Sequence, residues 1–254
     1  MAARVKIYHM VATTKLNAAE FVRELKESQS DIELTKIQKY FKTEPSPDDY
    51  FIGVRMGTVF TLAKKYIDMP ICELEKLLES PIHEARAGAL SIMGQCAKRK
   101  KCGETRLKEM AELYLRRHDR INNWDLVDLG AYHVVGRYLA DKSRKILYKL
   151  ARSKNLWERR TAIVATAHFI LRQGQLDDTF SIAEIILNDK EDLVQKGTGW
   201  MLRTAGEVDR ARLETFLDRH AGSMPRTTLR YAIEKFDKNQ RQHYLDLKTK
   251  RLTA

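Results

Sequence analysis

The chain has 254 residues, with 46 Lys plus Arg against 34 Asp plus Glu, a formal net charge of +12 with His neutral. Hydrophobic residues make up 43% and there are only 12 Gly and 5 Pro, which excludes a disordered or fibrous chain and favours one continuous core or repeat array. No apolar stretch has the length of a bilayer span, and three irregularly spaced cysteines (Cys72, Cys96 and Cys102) make no disulfide framework, so a soluble protein of a reducing cytoplasm is expected.

In chain order, residues 1–14 carry no interpretable pattern. Ala18, Phe21, Val22 and Leu25 then repeat at helical spacing. A helix is predicted to break near Tyr40–Lys42, because Pro45 and Pro47 follow in the loop Glu44–Asp49. Leu74, Leu77 and Leu78 mark a helix after Pro70. Alternating β-branched runs are almost absent, so the chain reads as all-α, and its end is expected to fray from about Lys248.

A repeat lies inside this pattern. The segment His83–Leu90 resembles Trp157–Val164, and Val194–Trp200 follows a similar plan. Aligning Arg86 with Arg160 and Arg160 with Lys196 gives a period of 36–37 residues, with the middle copy near Asn122–Asp128. Two helices per unit and small residues at the packing positions predict a right-handed superhelical solenoid of HEAT-like hairpins, one domain over residues 1–254. Equivalent positions then stack about 10 Å apart. Trp124, Arg160 and Lys196, spaced 36 apart, share a face, with Asp128 and Trp200 one turn further along on the same concave groove.

Charge sharpens that groove. Residues 137–172 carry ten basic side chains against two acidic ones, whereas residues 1–60 carry nine against eight. A concentrated block of this kind suits phosphate binding better than a solvated helix face. Trp157 opens its helix where core packing accounts for it. Trp124 and Trp200 instead lie beside charged residues. Asp125, in the first turn of its helix, has a sufficient role in offsetting free amide N–H groups. Asp128 lies a turn deeper, where it either pairs with Arg160 or stabilises a transient cation.

The segments Tyr40–Thr43, Phe51–Arg55, Asn123–Asp128, Trp157–Ile163 and Gln195–Arg203 resemble, in order, the signature blocks of AlkD-like DNA alkylation repair glycosylases. The resemblance implies a superhelix of HEAT-like repeats that hydrolyses the N-glycosidic bond of N3- or N7-alkylated purines in double-stranded DNA. It assigns Asp128 as the catalytic aspartate, Trp124 and Trp200 as contacts to the lesion's deoxyribose, and Arg160 as a phosphate-binding residue beside the site. Tyr40 matches a groove tyrosine. Lys154, Arg159, Lys196, Arg203 and Arg226 are further candidates for holding phosphates. One departure is Met56-Gly57-Thr58, where the family often starts a helix with Pro.

The implied chemistry needs no metal or organic cofactor, because an alkylated purine is already cationic and leaves without a general acid. The seven His form no i, i+4 pairs or Cys clusters of metal-ligand spacing, and no Gly-rich phosphate loop or nucleophile elbow is present. A groove without a deep base-flipping pocket is expected, in a monomer that is cytoplasmic and nucleoid-associated if bacterial. The alternatives are a HEAT-like protein adaptor and a DNA-binding protein that recognises damage without cleaving.

Overall fold

The computed structural model describes residues 16–41 and 48–252, without the side chains of Tyr40 and residues 248–252. The proline loop at 44–47, the Tyr40 side chain and the N-terminal stretch 1–14 therefore lie outside the described residues. Helices α1 (Ala18–Lys26), α2 (Asp31–Phe41), α3 (Met56–Lys65), α4 (Ile71–Glu79) and α5 (His83–Lys98) open the chain. They are followed by α6 (Glu104–Arg116), α7 (Trp124–Gly130), a π-helical turn at Ala131–Gly136, α8 (Lys145–Leu150), α9 (Leu156–Val164) and α10 (Ala167–Gln173). Helices α11 (Asp177–Ile185), α12 (Asp192–Val208), α13 (Arg210–His220), α14 (Arg226–Ala232) and α15 (Lys238–Leu252) complete it. The backbone stays helical past Lys248, where the sequence predicts fraying. Helix α3 starts at Met56 without a proline. Among the described residues no helix is long and apolar enough to cross a membrane.

The helices form two layers. In the inner layer α3, α5, α7, α9, α12 and α14 each pack on the next. In the outer layer α4 packs on α5, α6 on the π-helical turn, α8 on α9, α11 on α9 and α12, and α13 on α12. The chain is a helical-repeat solenoid, its core a continuous band of Leu, Ile, Val, Ala and Met between the layers. Small residues set the spacing of the inner layer. A Cβ on Gly136 would stand 2.3 Å from the Ala165 carbonyl oxygen, and one on Gly199 would stand 2.5 Å from that of Thr228. Neither position admits a side chain.

The repeat register differs from the one read by spacing. Arg86 donates to the carbonyl six residues back, Ser80, and Arg159 and Gln195 do the same to Ser153 and Asp189. Arg86 is thus equivalent to Arg159, not Arg160. Counting from the N-caps Asn123, Asn155 and Glu191, the fifth residues are Asp128, Arg160 and Lys196. The α7 repeat is four residues shorter than the 36-residue spacing implies, which is one helical turn. The shared face therefore survives the slip, while the residue facing Arg160 becomes Asp128 in place of Trp124.

A buried carboxylate ties the N-terminal segment to this frame. Glu84, in the first turn of α5, accepts from the backbone N–H groups of Ile52, Gly53 and Val54 at 2.9–3.1 Å. Gly53 adopts φ +79°, and a Cβ there would meet the Ser30 carbonyl oxygen at 2.2 Å. The Tyr50 carbonyl accepts from His83 N–H at 2.8 Å, closing a single bridge. Glu84→Ala leaves these donors without a partner and is expected to lower unfolding free energy by about 3 kcal/mol, with Glu84→Gln in between. Urea denaturation followed by circular dichroism measures this, and a wild-type midpoint for Glu84→Ala would contradict it.

Candidate active site

Helix α7 begins at Trp124 because the Asn123 side chain accepts from the Trp124 N–H at 2.8 Å. Asp125, the first-turn acid, caps nothing here. Its Oδ2 lies 2.8 Å from His83 Nε2, and both residues are buried. The His83 ring stacks on Phe51 with centroids 4.2 Å apart, and Phe41 stacks on Trp124 at 5.5 Å and 16°. The segment held by Glu84 thus reaches the indole of Trp124 through an aromatic chain.

Asp128 faces Arg160 across the α7–α9 contact. Arg160 Nε donates to Asp128 Oδ1 at 3.1 Å and Nη2 donates to Oδ2 at 2.8 Å, a bidentate pair. Arg160 Nη1 donates to the Leu193 carbonyl in the first turn of α12, so one guanidinium links three repeats. The Arg160 side chain is 6% exposed and that of Asp128 23%, so the acid alone reaches the cavity appreciably. Gly197 makes room for the guanidinium, since a Cβ there would meet Nη1 at 3.2 Å. Three of the five guanidinium N–H groups are engaged in this way and two remain.

Burial pushes the Asp128 carboxyl above the ordinary aspartate value, and Asp125 adds to the shift while Arg160 opposes it. Beneath the pair, the Thr161 hydroxyl lies 2.8 Å from Tyr114 Oη and 2.9 Å from His118 Nε2. Burial raises the Tyr114 phenol and lowers the His118 imidazole, so both are neutral at pH 7. This floor holds α6, the 3-10 turn at His118–Arg120 and α9 together without placing a second charge under Asp128.

Trp124, Asp128, Arg160, Lys196, Trp200 and Arg203 line one cavity of about 410 Å³. Six of the residues proposed from sequence thus come together. Leu193 and Tyr231 also line it. Sequence reading misses Tyr231. It arrives because Gly199 lets α14 approach α12, and it directly follows Arg230, the fifth residue after the Pro225 N-cap and so the equivalent of Lys196. Lys196 pairs with Asp192 at 2.6 Å, and Arg203 pairs with Glu234.

The other phosphate candidates lie elsewhere. Arg159 is bound to Asp189 at 2.5 Å and to the Ser153 and Lys154 carbonyls, which makes it a strut between repeats. Arg226 donates to the Leu245 carbonyl at 2.6 Å and ties α14 to α15. The exposed Lys154 is outside the cavity lining. Trp157 is half-buried against the core. A second cavity of about 610 Å³, lined by Phe60, Ile67 and Leu129 among others, shares Asp128 with the first. Among the described residues no group of three or more His, Cys, Asp or Glu is placed to hold a metal ion.

Comparison with known proteins bears on this arrangement. No curated protein matches the chain. A solved structure, described as a predicted DNA alkylation repair enzyme from Enterococcus faecalis, superposes with a TM-score of 0.65 at 18% identity, covering 83% of this chain and 98% of that one. At that identity the likeness speaks for the fold. The model of the DNA alkylation repair enzyme family matches residues 21–236, most of the sequence and all of the cavity described above. The chain belongs to the DNA alkylation repair enzyme family.

Proposed function

We propose that this member of an alkylation-repair family is a DNA glycosylase that releases cationic N3- and N7-alkylated purines from double-stranded DNA. The observation that carries the reading is the Asp128 carboxylate, held by Arg160 and open to a cavity walled by Trp124 and Trp200. Alkylation at N3 or N7 gives the purine a positive charge. When the C1′–N9 bond breaks, the base leaves as a neutral molecule with the bonding pair, and positive charge passes to the deoxyribose. An ionised carboxylate beside that sugar stabilises the developing cation and orients the water that adds to C1′ and loses a proton. The indole faces add cation–π attraction to the same charge.

Arg160 has two tasks in this scheme. It opposes the upward push that burial gives the Asp128 carboxyl, and its two-point grip fixes that acid at the cavity wall. Lys196 and Arg203, each with an acidic neighbour, and the Tyr231 hydroxyl supply further backbone contacts along the cavity. Lys154 is exposed for an outlying phosphate, whereas the Arg159 guanidinium is taken up by Asp189 and two carbonyls, and Arg226 lies outside the cavity with one N–H on the Leu245 carbonyl. The closed Asp128–Arg160 pair favours one second reading, a DNA-binding protein that recognises damage without cleaving. That protein would show salt-sensitive duplex affinity and no base release.

Asp128→Asn is expected to slow single-turnover release of 7-methylguanine from methylated DNA by about 10²–10³-fold, the effect of removing one aligned electrostatic group. Equal release by wild type and variant would remove Asp128 from catalysis. Because the ionised carboxylate is the active form and its proton is held above the ordinary aspartate value of about 3.9, release should fall as pH drops, with an apparent pKa above that value. A rate that stays flat down to about pH 4 would contradict this.

The cavities on either side of Asp128 leave room around the sugar without a closed base pocket. Bulky N3 and N7 adducts should therefore be excised along with methyl adducts. Uracil, a neutral base without the leaving-group advantage, should not be released. Refusal of bulky adducts together with efficient uracil excision would overturn the proposed mode of engagement.

A further inference from the structure

A further cleft lies where the C-terminal end of α5, the π-helical turn and α10 meet. It measures about 250 Å³, and its cations are Lys98, Arg99 and Lys100 from the end of α5, Arg137 after the π-helical turn, and Arg172 on α10. His133 and His168 complete the lining with Tyr132, and no Asp or Glu takes part. The Tyr132 ring stands between the two imidazoles, with centroids 4.0 Å from His133 and 5.9 Å from His168. Arg137 Nη1 donates to the Arg99 carbonyl at 3.4 Å, which draws two of the cations together. One exposed acid, Asp68, pairs with Arg99 at 3.1 Å from outside the cleft.

Gathering this much like charge without an acid in the lining costs folding energy, and a bound anion offsets that cost. The cleft is also continuous with the candidate active site. It shares Lys98, Arg99 and His133 with the cavity of about 610 Å³, and that cavity reaches Asp128. We propose that the cleft formed by Lys98, Arg99, Arg137, Arg172, His133 and His168 binds a backbone phosphate of the DNA duplex. This rests on the reading that the inner layer binds DNA, and it adds an anchor that neither the family match nor the sequence blocks mark.

The imidazoles make the site responsive to pH. Burial, and then Lys98, His168 and Arg172, push His133 down to about 4. Burial, Arg172, Arg137 and Arg144 push His168 down to about 4, with Asp141 opposing. Asp128 and Lys64 also face His133 across the adjoining cavity. Both rings are neutral in the free protein at pH 7. A phosphate brought among these cations cancels their repulsion and lifts both imidazoles towards the ordinary value of about 6.5. Binding then takes up protons, and affinity rises as pH falls from about 7 towards 5.

Fluorescence anisotropy of an undamaged duplex, measured across salt concentration and across pH 5–8, tests the proposal. Arg137→Gln/Arg172→Gln should weaken binding about tenfold at 0.1 M salt and flatten the slope of log K against log salt by about 0.9, one phosphate contact. His133→Gln/His168→Gln should bind like wild type at pH 8 and lose most of the gain at pH 5. Circular dichroism identifies any variant that fails to fold. Wild-type affinity and slope in the arginine variant would overturn the proposal, as would an undiminished pH response in the histidine variant or a wild-type protein that binds no duplex. Base release at saturating protein should stay within about twofold of wild type in the arginine variant, whose two residues line neither cavity beside Asp128. Duplex binding that follows this pattern without base release would defeat the glycosylase reading alone.

Discussion

One ion pair organises this protein's candidate chemistry. Asp128 and Arg160 occupy equivalent positions on adjacent inner helices, so the repeat itself brings a carboxylate against a guanidinium. Removing both charges from water is costly, and the mutual attraction repays that cost only with good geometry. Here the geometry is bidentate, and a third donor group of Arg160 is anchored on the Leu193 carbonyl. Such an arrangement is weak as a device for stability. Its value is to hold an acid at a fixed place beside the cations Lys196 and Arg203 of the same cavity.

The rest of the cavity depends on that placement. Trp124 lies one turn before Asp128 in α7, and Trp200 lies one turn after Lys196 in α12, so the indoles bracket the acid from two repeats. Gly197 gives the guanidinium its space, and Gly199 admits Tyr231. The Glu84 clamp acts at longer range. By fixing residues 52–54 it orders the Phe51–His83 stack. His83 in turn holds Asp125, the residue directly after Trp124 in α7. The start of the helix that carries both Trp124 and Asp128 is therefore fixed from the N-terminal side of the solenoid.

Much of this is legible in the sequence because the repeat carries it. The all-α pattern, the period near 36 and the grouping of Trp124, Asp128, Arg160, Lys196 and Trp200 follow from spacing, and a slip of one helical turn leaves the shared face intact, while Arg203 enters the sequence reading only as a candidate phosphate contact. What spacing does not contain is which charges are already spoken for. Arg159 and Arg226 count as free cations in a sequence, yet Asp189, 30 residues from Arg159, and the Leu245 carbonyl, 19 from Arg226, engage them in the fold. Asp125 reads as a first-turn acid because its partner His83 lies 42 residues away. Tyr231 and the Phe41–Trp124 stack likewise depend on close approaches between helices that only the packed structure contains.

The central claim is that Asp128 and Arg160 act as one unit in base release, and a double-mutant cycle addresses it most directly. Single-turnover release of 7-methylguanine would be compared for wild type, Asp128→Asn, Arg160→Gln and the double variant, each checked for helical content. If Arg160 serves to keep Asp128 ionised and in place, the double variant will be no slower than about the worse of the two single variants. Losses that multiply would show two independent contributions and contradict the account.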